Sequence, residues 1–175
     1  MLRHGVSVSG DVRIDDRTTL QLGAGGTPGG VLAIDGGSRH TIGPGWMTFG
    51  GVGFRILDGR GAAPFLLMSA SLALSSARTT DEADPLGAAF LTATDLRAGL
   101  TVGKTFFSAL SPYASLRAFS GPVFWKVRGA SVVGSDRFHY QPALGALLSV
   151  GAFDAFFEGA FLGERALGGG LGAAF

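Results

Sequence analysis

The chain has 175 residues, and its 14 Lys and Arg against 13 Asp and Glu give a formal net charge of +1, which offers no electrostatic basis for nucleic-acid binding. The absence of cysteine excludes a disulfide framework, thiol catalysis and cysteine-ligated metal. Only 15% of the residues are charged and 30 are glycine, whereas ordinary soluble domains hold about 25% charged residues and ~7% glycine. The length predicts one domain over residues 1–175.

The mean hydropathy of the chain is positive, and a membrane-spanning helix does not explain it. The charge-free stretch in the apolar middle of the chain, 61–77, contains four serines and is shorter than the about 20 apolar residues that a spanning helix needs. Residues 1–8 lack the basic and apolar regions of a signal peptide, so we expect that an exported form has already lost its signal. A closed β-barrel fits this composition, because its strands expose apolar side chains at alternate positions only.

Alternation of apolar with small or polar residues predicts strands along the whole chain, and no segment has helical periodicity. In chain order these predicted strands are 5–14, 17–25, 30–35, 46–57, 63–77, 94–106, 112–125, 138–150, 154–163 and 168–175. The count is ten. The segment 30–35 is a weak candidate, and this segment together with the N-terminal pair of strands could reduce the count to eight. An even count places both termini at the periplasmic end of a barrel.

Two features distinguish a barrel from a soluble antiparallel sandwich, which also alternates. The second face of the predicted strands is mostly glycine, alanine and serine with isolated charges, as suits the crowded interior of a small barrel. Several strands are also longer than the usual 5 to 6 residues and match the ~9 to 11 tilted residues that cross a bilayer. The sequence therefore predicts an all-β, closed antiparallel up-and-down transmembrane barrel of eight to ten strands.

The connections alternate in length, as expected when one end of a barrel faces the periplasm and the other the outside. Short turns are predicted at 58–61, 108–111 and 150–152, and longer polar loops at 35–45, 78–86 and 126–137. Aromatic residues predict one girdle near the long loops, at Trp46, Trp125, Phe138 and Tyr140, and another near the short turns, at Phe106, Phe107, Tyr113, Phe153 and Phe175.

The C-terminal segment Leu167–Phe175 places Leu167, Leu171 and Phe175 on one face. It resembles the last strand of a Gram-negative outer-membrane β-barrel protein, a family whose final strand ends in phenylalanine and is recognised by the barrel-assembly machinery. The resemblance implies an outer-membrane location, with lipid and the assembly machinery as partners and Phe175 as the assembly signal. It identifies no subfamily, porin or otherwise, so no other functional residue follows from it.

Polar residues of the strands are predicted to face the barrel lumen. They are Asp11, Arg13, Gln21, Arg55, Asp95, Arg97, Arg117, His139, Gln141, Asp154 and Glu158. Because unpaired buried charges are costly, we expect these side chains to pair and fill the interior. The leading hypothesis is thus a monomeric, non-enzymatic barrel of structural or surface-interaction type that acts through its long loops. A narrow channel for ions or small anions is the alternative, favoured by Arg55, Arg97 and Arg117.

A membrane hydrolase is a third hypothesis, with His139 as a base beside a loop that bears Ser131 and Ser135. No metal site is predicted, because no two of the three histidines lie at ligand spacing. No cofactor is predicted either, since neither 23–26 nor 168–170 is followed by the Lys-Ser/Thr or the helix of a phosphate loop.

Overall fold

The computed structural model describes residues 2–33, 39–81, 84–127, 130–135, 138–162 and 165–174. Within these ranges the chain forms eleven antiparallel strands. The strands are β1 Leu2–Arg13, β2 Thr18–Ala33, β3 Arg39–Asp58, β4 Phe65–Asp81, β5 Asp84–Gly103, β6 Leu110–Ser120, β7 Val123–Val127, β8 Ala130–Gly134, β9 Tyr140–Val150, β10 Phe153–Ala160 and β11 Ala166–Ala173. The described ranges contain no helix with the length and apolarity to cross a membrane.

All strands belong to one sheet that curls into an open half-barrel. Its order is β1-β2-β3-β4-β5-β6-β9-β10-β11, and the hairpin of β7 and β8 attaches to the beginning of β5. Neither β1 nor β11 has a second neighbour in the described part of the chain. The all-β antiparallel class is therefore confirmed, and nine strands follow one another along the sheet.

The predicted count of ten strands was wrong for two local reasons. The predicted strands 17–25 and 30–35, as far as they are described, belong to the single strand β2, because its ladder with β3 resumes at Gly30 after the irregularity at Pro28 and Gly29. The predicted strand 112–125 instead divides at residues 121–122 into β6 and β7, and β8 forms inside the predicted loop 126–137.

The two terminal strands run in the same direction. Leu2 lies opposite Val31 near the end of β2, whereas Ala173 lies opposite Phe153 at the beginning of β10. The start of β1 is therefore at the end of the sheet with the long connections, and the last residues of β11 are at the end with the short turns. The expectation that both termini share one end was wrong, because nine strands, an odd number, follow one another.

The predicted short turns overlap the connections at 59–64, 104–109 and 151–152. Gly151 adopts a φ of 62° in the two-residue turn between β9 and β10, a conformation that glycine takes without strain. In the turn between β3 and β4, Lys104 Nζ donates to the carbonyl oxygens of Gly59 at 3.0 Å and Ala63 at 2.7 Å, and also to that of Gly61. Lys104, which directly follows β5, thus holds a neighbouring turn in place.

The predicted long loops are mostly strand. β3 already begins at Arg39, and only residues 82 and 83 separate β4 from β5. The polar residues that suggested a loop at 78–86 include members of the β4–β5 ladder. Thr79 on β4, for example, lies opposite Ala89 on β5. Residues 35–38, 82–83, 128–129 and 136–137 of these loops lie outside the described residues.

One face of the sheet, here called the outer face, carries the apolar side chains. Leu100, Leu116 and Leu144 on β5, β6 and β9 are 49%, 53% and 58% exposed, and the valines of β1 and the leucines of β11 extend this surface to both edges. Soluble monomers rarely expose a continuous apolar surface beyond a few hundred Å². The opposite face is called the inner face below.

A small core closes part of the inner face at the long-connection end. Trp125 on β7 packs with Leu91 and Ala89 on β5, and its Nε1 donates to Thr79 Oγ1 on β4 at 2.7 Å. His40 on β3 meets the Trp125 ring edge-on, with ring centroids 4.6 Å apart. The prediction that Trp125 belongs to an outer aromatic girdle was wrong, because its partner Leu91 lies on the inner face and fixes Trp125 there.

Candidate functional site

The polar residues predicted to line a lumen share the inner face of the sheet. Directly opposed residues of antiparallel strands point to the same side. From β1 to β6 they form the row Asp11, Gln21, Gly51, Ser71, Arg97 and Phe119. From β6 to β10 the pairs are Arg117 with Gln141 and Gly145 with Glu158. Arg13, Arg55, Asp95 and Asp154 lie two or four residues from a member of this set on their own strand, so they share its face.

An ion pair between non-adjacent strands identifies the inner face as the concave one. Arg117 on β6 donates to both carboxylate oxygens of Glu158 on β10, each at 2.6 Å, across the intervening β9. Strands two apart are separated by roughly 9.6 Å, and side chains bridge that gap readily only where the sheet curls towards them. Tyr113 also donates its hydroxyl to Glu158 Oε2 at 3.2 Å.

This cluster is well shielded from solvent. Gln141, whose Oε1 lies 3.5 Å from Arg117 Nη1, is 2% exposed, and the Glu158 side chain is 15% exposed. A two-point guanidinium–carboxylate contact is directional and stronger than a single contact. The expectation of paired inner charges thus holds for Arg117 and Glu158.

A second pair lies on β5, closer to the long-connection end. Arg97 Nε donates to Asp95 Oδ2 at 2.7 Å, and the Arg97 guanidinium lies 5.5 Å from the centre of the buried Phe119 ring. Asp95 Oδ1 is buried without a hydrogen-bond partner among the described residues. These contacts tie β5 to β6 but leave no obvious site for a substrate.

A cavity of about 520 Å³ occupies the inner face near the short turns. Three aromatic rings on its wall occupy the space above glycines of a neighbouring strand: Phe65 over Gly103, Tyr113 over Gly145, and Phe156 over Gly170. A Cβ added to Gly170 would lie 2.6 Å from the Phe156 ring, and one added to Gly103 or Gly145 would overlap its ring more severely. The glycines therefore let these rings lie against the sheet, which keeps the space above them open.

Arg55 on β3 lines this cavity together with Arg117, Glu158 and Asp58. No side-chain hydrogen bond or ion pair connects Arg55 to any other described residue, whereas Arg117 is held by Glu158. Asp58 lies 3.7 Å from the exposed Arg60. The cavity thus presents one guanidinium that has no ion-pair partner in the part of the chain that the structure describes.

The remaining predicted residues lie apart from this group. Asp11 and Arg13 are exposed on the edge strand β1. His139 precedes β9, and its Nδ1 lies 3.1 Å from the Phe119 carbonyl oxygen, the one side-chain hydrogen bond it makes within the described ranges. That arrangement provides no nucleophile–base pair for the hydrolase hypothesis. Among the described residues no group of three or more metal-ligating side chains occurs.

The aromatic residues divide between the two faces. Trp46, Phe138 and Tyr140 near the long connections, and Phe106, Phe107 and Phe153 near the short turns, are 47% to 96% exposed. Tyr113, predicted to join the second of these groups, instead points inward to Glu158. Phe175 lies outside the described residues.

Sequence reasoning missed the cavity and most of its aromatic wall. The signal was present, because each of the three rings has a glycine directly opposite in the neighbouring strand. Using it requires the strand register, which the alternation alone does not supply.

No protein-family model, curated protein or solved structure matches this chain.

Proposed function

We propose that this chain is an integral β-barrel protein of the bacterial outer membrane, with a largely filled polar interior and a structural or surface-interaction role. The observation that carries the proposal is the division of one continuous sheet into two faces. Large apolar side chains such as Leu100 and Leu116 stand exposed on the outer face, whereas Arg117 and Glu158 are paired on the concave face. A soluble sheet that curls would bury its apolar side chains on the concave face. A sheet in lipid requires the reverse.

Closure of the barrel is the second part of the proposal. Within the described residues β1 and β11 each leave one edge unpaired, and unpaired backbone groups cannot be left in the hydrocarbon of a bilayer. Pairing β1 with β11 would remove both edges in a monomer. The seam would be parallel, because both strands run from the long-connection end to the short-turn end.

Location in the outer membrane is supported by the sequence of the last strand. Leu167 and Leu171 on β11 are 80% and 90% exposed, in line with a lipid-facing final strand that the barrel-assembly machinery would recognise. The surface-interaction role is supported by the β7–β8 hairpin at the long-connection end, where Val132 and Val133 are exposed.

The test is folding into lipid vesicles followed by electrophoresis with and without boiling. A closed barrel resists detergent, so we expect unboiled protein to migrate differently from boiled protein and to be protected from protease except at the long-connection end. Protein that stays soluble without detergent, or that shows no heat-dependent mobility, would refute the proposal.

Conductance in planar bilayers distinguishes a filled interior from the channel alternative. The ion pairs of Arg117 with Glu158 and of Arg97 with Asp95 obstruct the inner face, and the core around Trp125 closes part of its long-connection end. We expect no stable conductance steps. Discrete steps that Arg55→Gln alters in ion selectivity would favour the channel instead.

A further inference from the structure

The cavity near the short turns has features of a binding site and not only of a packing defect. Its wall includes Phe65, Tyr113 and Phe156, each seated over a glycine. If filling the interior were the only requirement, side chains in place of the glycines would push the rings upright and fill the space. The glycines instead preserve a volume of about 520 Å³, within the roughly 300–1,000 Å³ of small-molecule sites.

The lining combines an apolar surface with several polar and charged side chains. Leu67 and Leu147 extend the surface formed by the aromatic rings, so the cavity can take up an apolar body. Thr101 and Ser111 contribute hydroxyl groups. Such a lining favours a molecule with one polar end over an ion surrounded by water.

The charged residues around the cavity indicate the sign and the number of charges on the polar end of the ligand. Arg117 is neutralised by Glu158 at 2.6 Å, and Asp58 has Arg60 at 3.7 Å. The two arginines and two carboxylates of the lining sum to zero, and to +1 when Arg60 beside Asp58 is included. Of these groups, only Arg55 has no ion-pair partner among the described residues, so its guanidinium is the group left to meet an anion. A phosphate monoester is close to a dianion at neutral pH. The two carboxylates of the cavity would repel it, and the single charge of Arg55 would not offset that repulsion. A carboxylate matches one planar guanidinium, which it can contact through two oxygens.

We propose that this cavity binds a small amphipathic carboxylate, with its anionic group on Arg55 and its apolar body between Phe65, Tyr113 and Phe156. The proposal rests on the proposed function, because closure of the barrel is what would enclose the cavity. It adds a ligand class to an interior that otherwise serves only to fill the barrel.

The experiment is calorimetric titration of the protein in lipid nanodiscs, with empty nanodiscs subtracted to remove partitioning into lipid. The probe is 4-phenylbutyrate, compared with its neutral amide and with acetate. We expect binding of the carboxylate and at least tenfold weaker binding of both comparison compounds, since one lacks the charge and the other the apolar body. Equal affinity for the amide would overturn the role of Arg55.

Two pairs of variants separate the charge from the shape. Arg55→Gln should weaken binding about 10- to 100-fold, because a charge-assisted contact is lost, whereas Arg13→Gln, on the same face but outside the cavity, should leave it unchanged. Gly170→Ala should weaken binding by displacing the Phe156 ring, whose atoms are the nearest to the added methyl. Gly168→Ala, on the same strand and face with nothing within 4 Å of the added methyl, should not.

Failure of this inference is distinguishable from failure of the proposed function. Protein with heat-dependent mobility that binds no carboxylate would overturn the ligand site and leave the barrel intact. Equal losses of stability in Arg55→Gln and Asp58→Asn, without ligand binding, would show that Arg55 forms an internal ion pair in the closed barrel, and that result would also overturn the inference.

Discussion

The pair of Arg117 and Glu158 should be the most stabilising polar contact on the inner face. Both hydrogen bonds are 2.6 Å long, and the side chains are 28% and 15% exposed. Breaking a fully buried ion pair costs about 3–5 kcal/mol, so for this partly shielded pair we expect Glu158→Gln or Arg117→Gln alone to lower the free energy of unfolding by about 2–3 kcal/mol. The double variant should lose little more than either single variant, because the uncompensated charge is then gone.

The assay is a double-mutant cycle from urea unfolding of the protein in lipid vesicles, followed by tryptophan fluorescence. Asp58 and Arg60 form the control pair, since they lie 3.7 Å apart with side chains 44% and 90% exposed, and exposed pairs couple by about 0–1 kcal/mol. A coupling energy between Arg117 and Glu158 no larger than that of the control would refute the view that the two strands are joined across β9 by this contact.

Three further predictions follow from the turns and from the small core. Lys104→Met should speed tryptic cleavage after the exposed Arg60, measured by mass spectrometry, because the turn then loses three hydrogen bonds from Lys104 Nζ; unchanged cleavage would contradict this role. Backbone N–H groups that donate to Asp15 hold the pKa of its carboxyl below its usual 3.8. The stability that Asp15→Ala removes should therefore be present at neutral pH and vanish as the pH falls through that lowered pKa, as checked by urea unfolding at several pH values. Trp125→Phe should cost about 1–2 kcal/mol by urea unfolding, because Thr79 Oγ1 loses its donor in a buried site; a neutral outcome would show that the contact is dispensable.

The division into two faces follows from local sequence, whereas the predictions that depend on strand register were wrong. Alternation in β5 and β9 correctly predicts which residues share a face, because the side-chain period of a strand is fixed. The same signal cannot tell whether Pro28 and Gly29 end a strand or cause an irregularity within one, since that is decided by pairing with β3. The predicted strand count and the shared position of the termini both failed there and at the break between β6 and β7.

The candidate site was partly predictable for a similar reason. Arg117 and Glu158 were expected on the inner face, and charges on that face were expected to pair. The sequence did not identify these two residues as partners, because the curl of three strands brings them together. Trp125 and Tyr113 were expected outside, since aromatic residues near strand ends suggest a girdle. Their inward orientation depends on the residues opposite them, Leu91 and Gly145.

The contrast between the two faces can be measured directly, since the chain has no cysteine and each single-cysteine variant carries one label. Consecutive substitutions at Ala98, Gly99, Leu100, Thr101 and Val102 sample both faces of β5. In lipid vesicles, we predict that fluorophores at 98, 100 and 102 are quenched by spin-labelled acyl chains and that those at 99 and 101 are not. Quenching that is equal at all five positions, or that is stronger at 99 and 101, would contradict a lipid-facing outer surface.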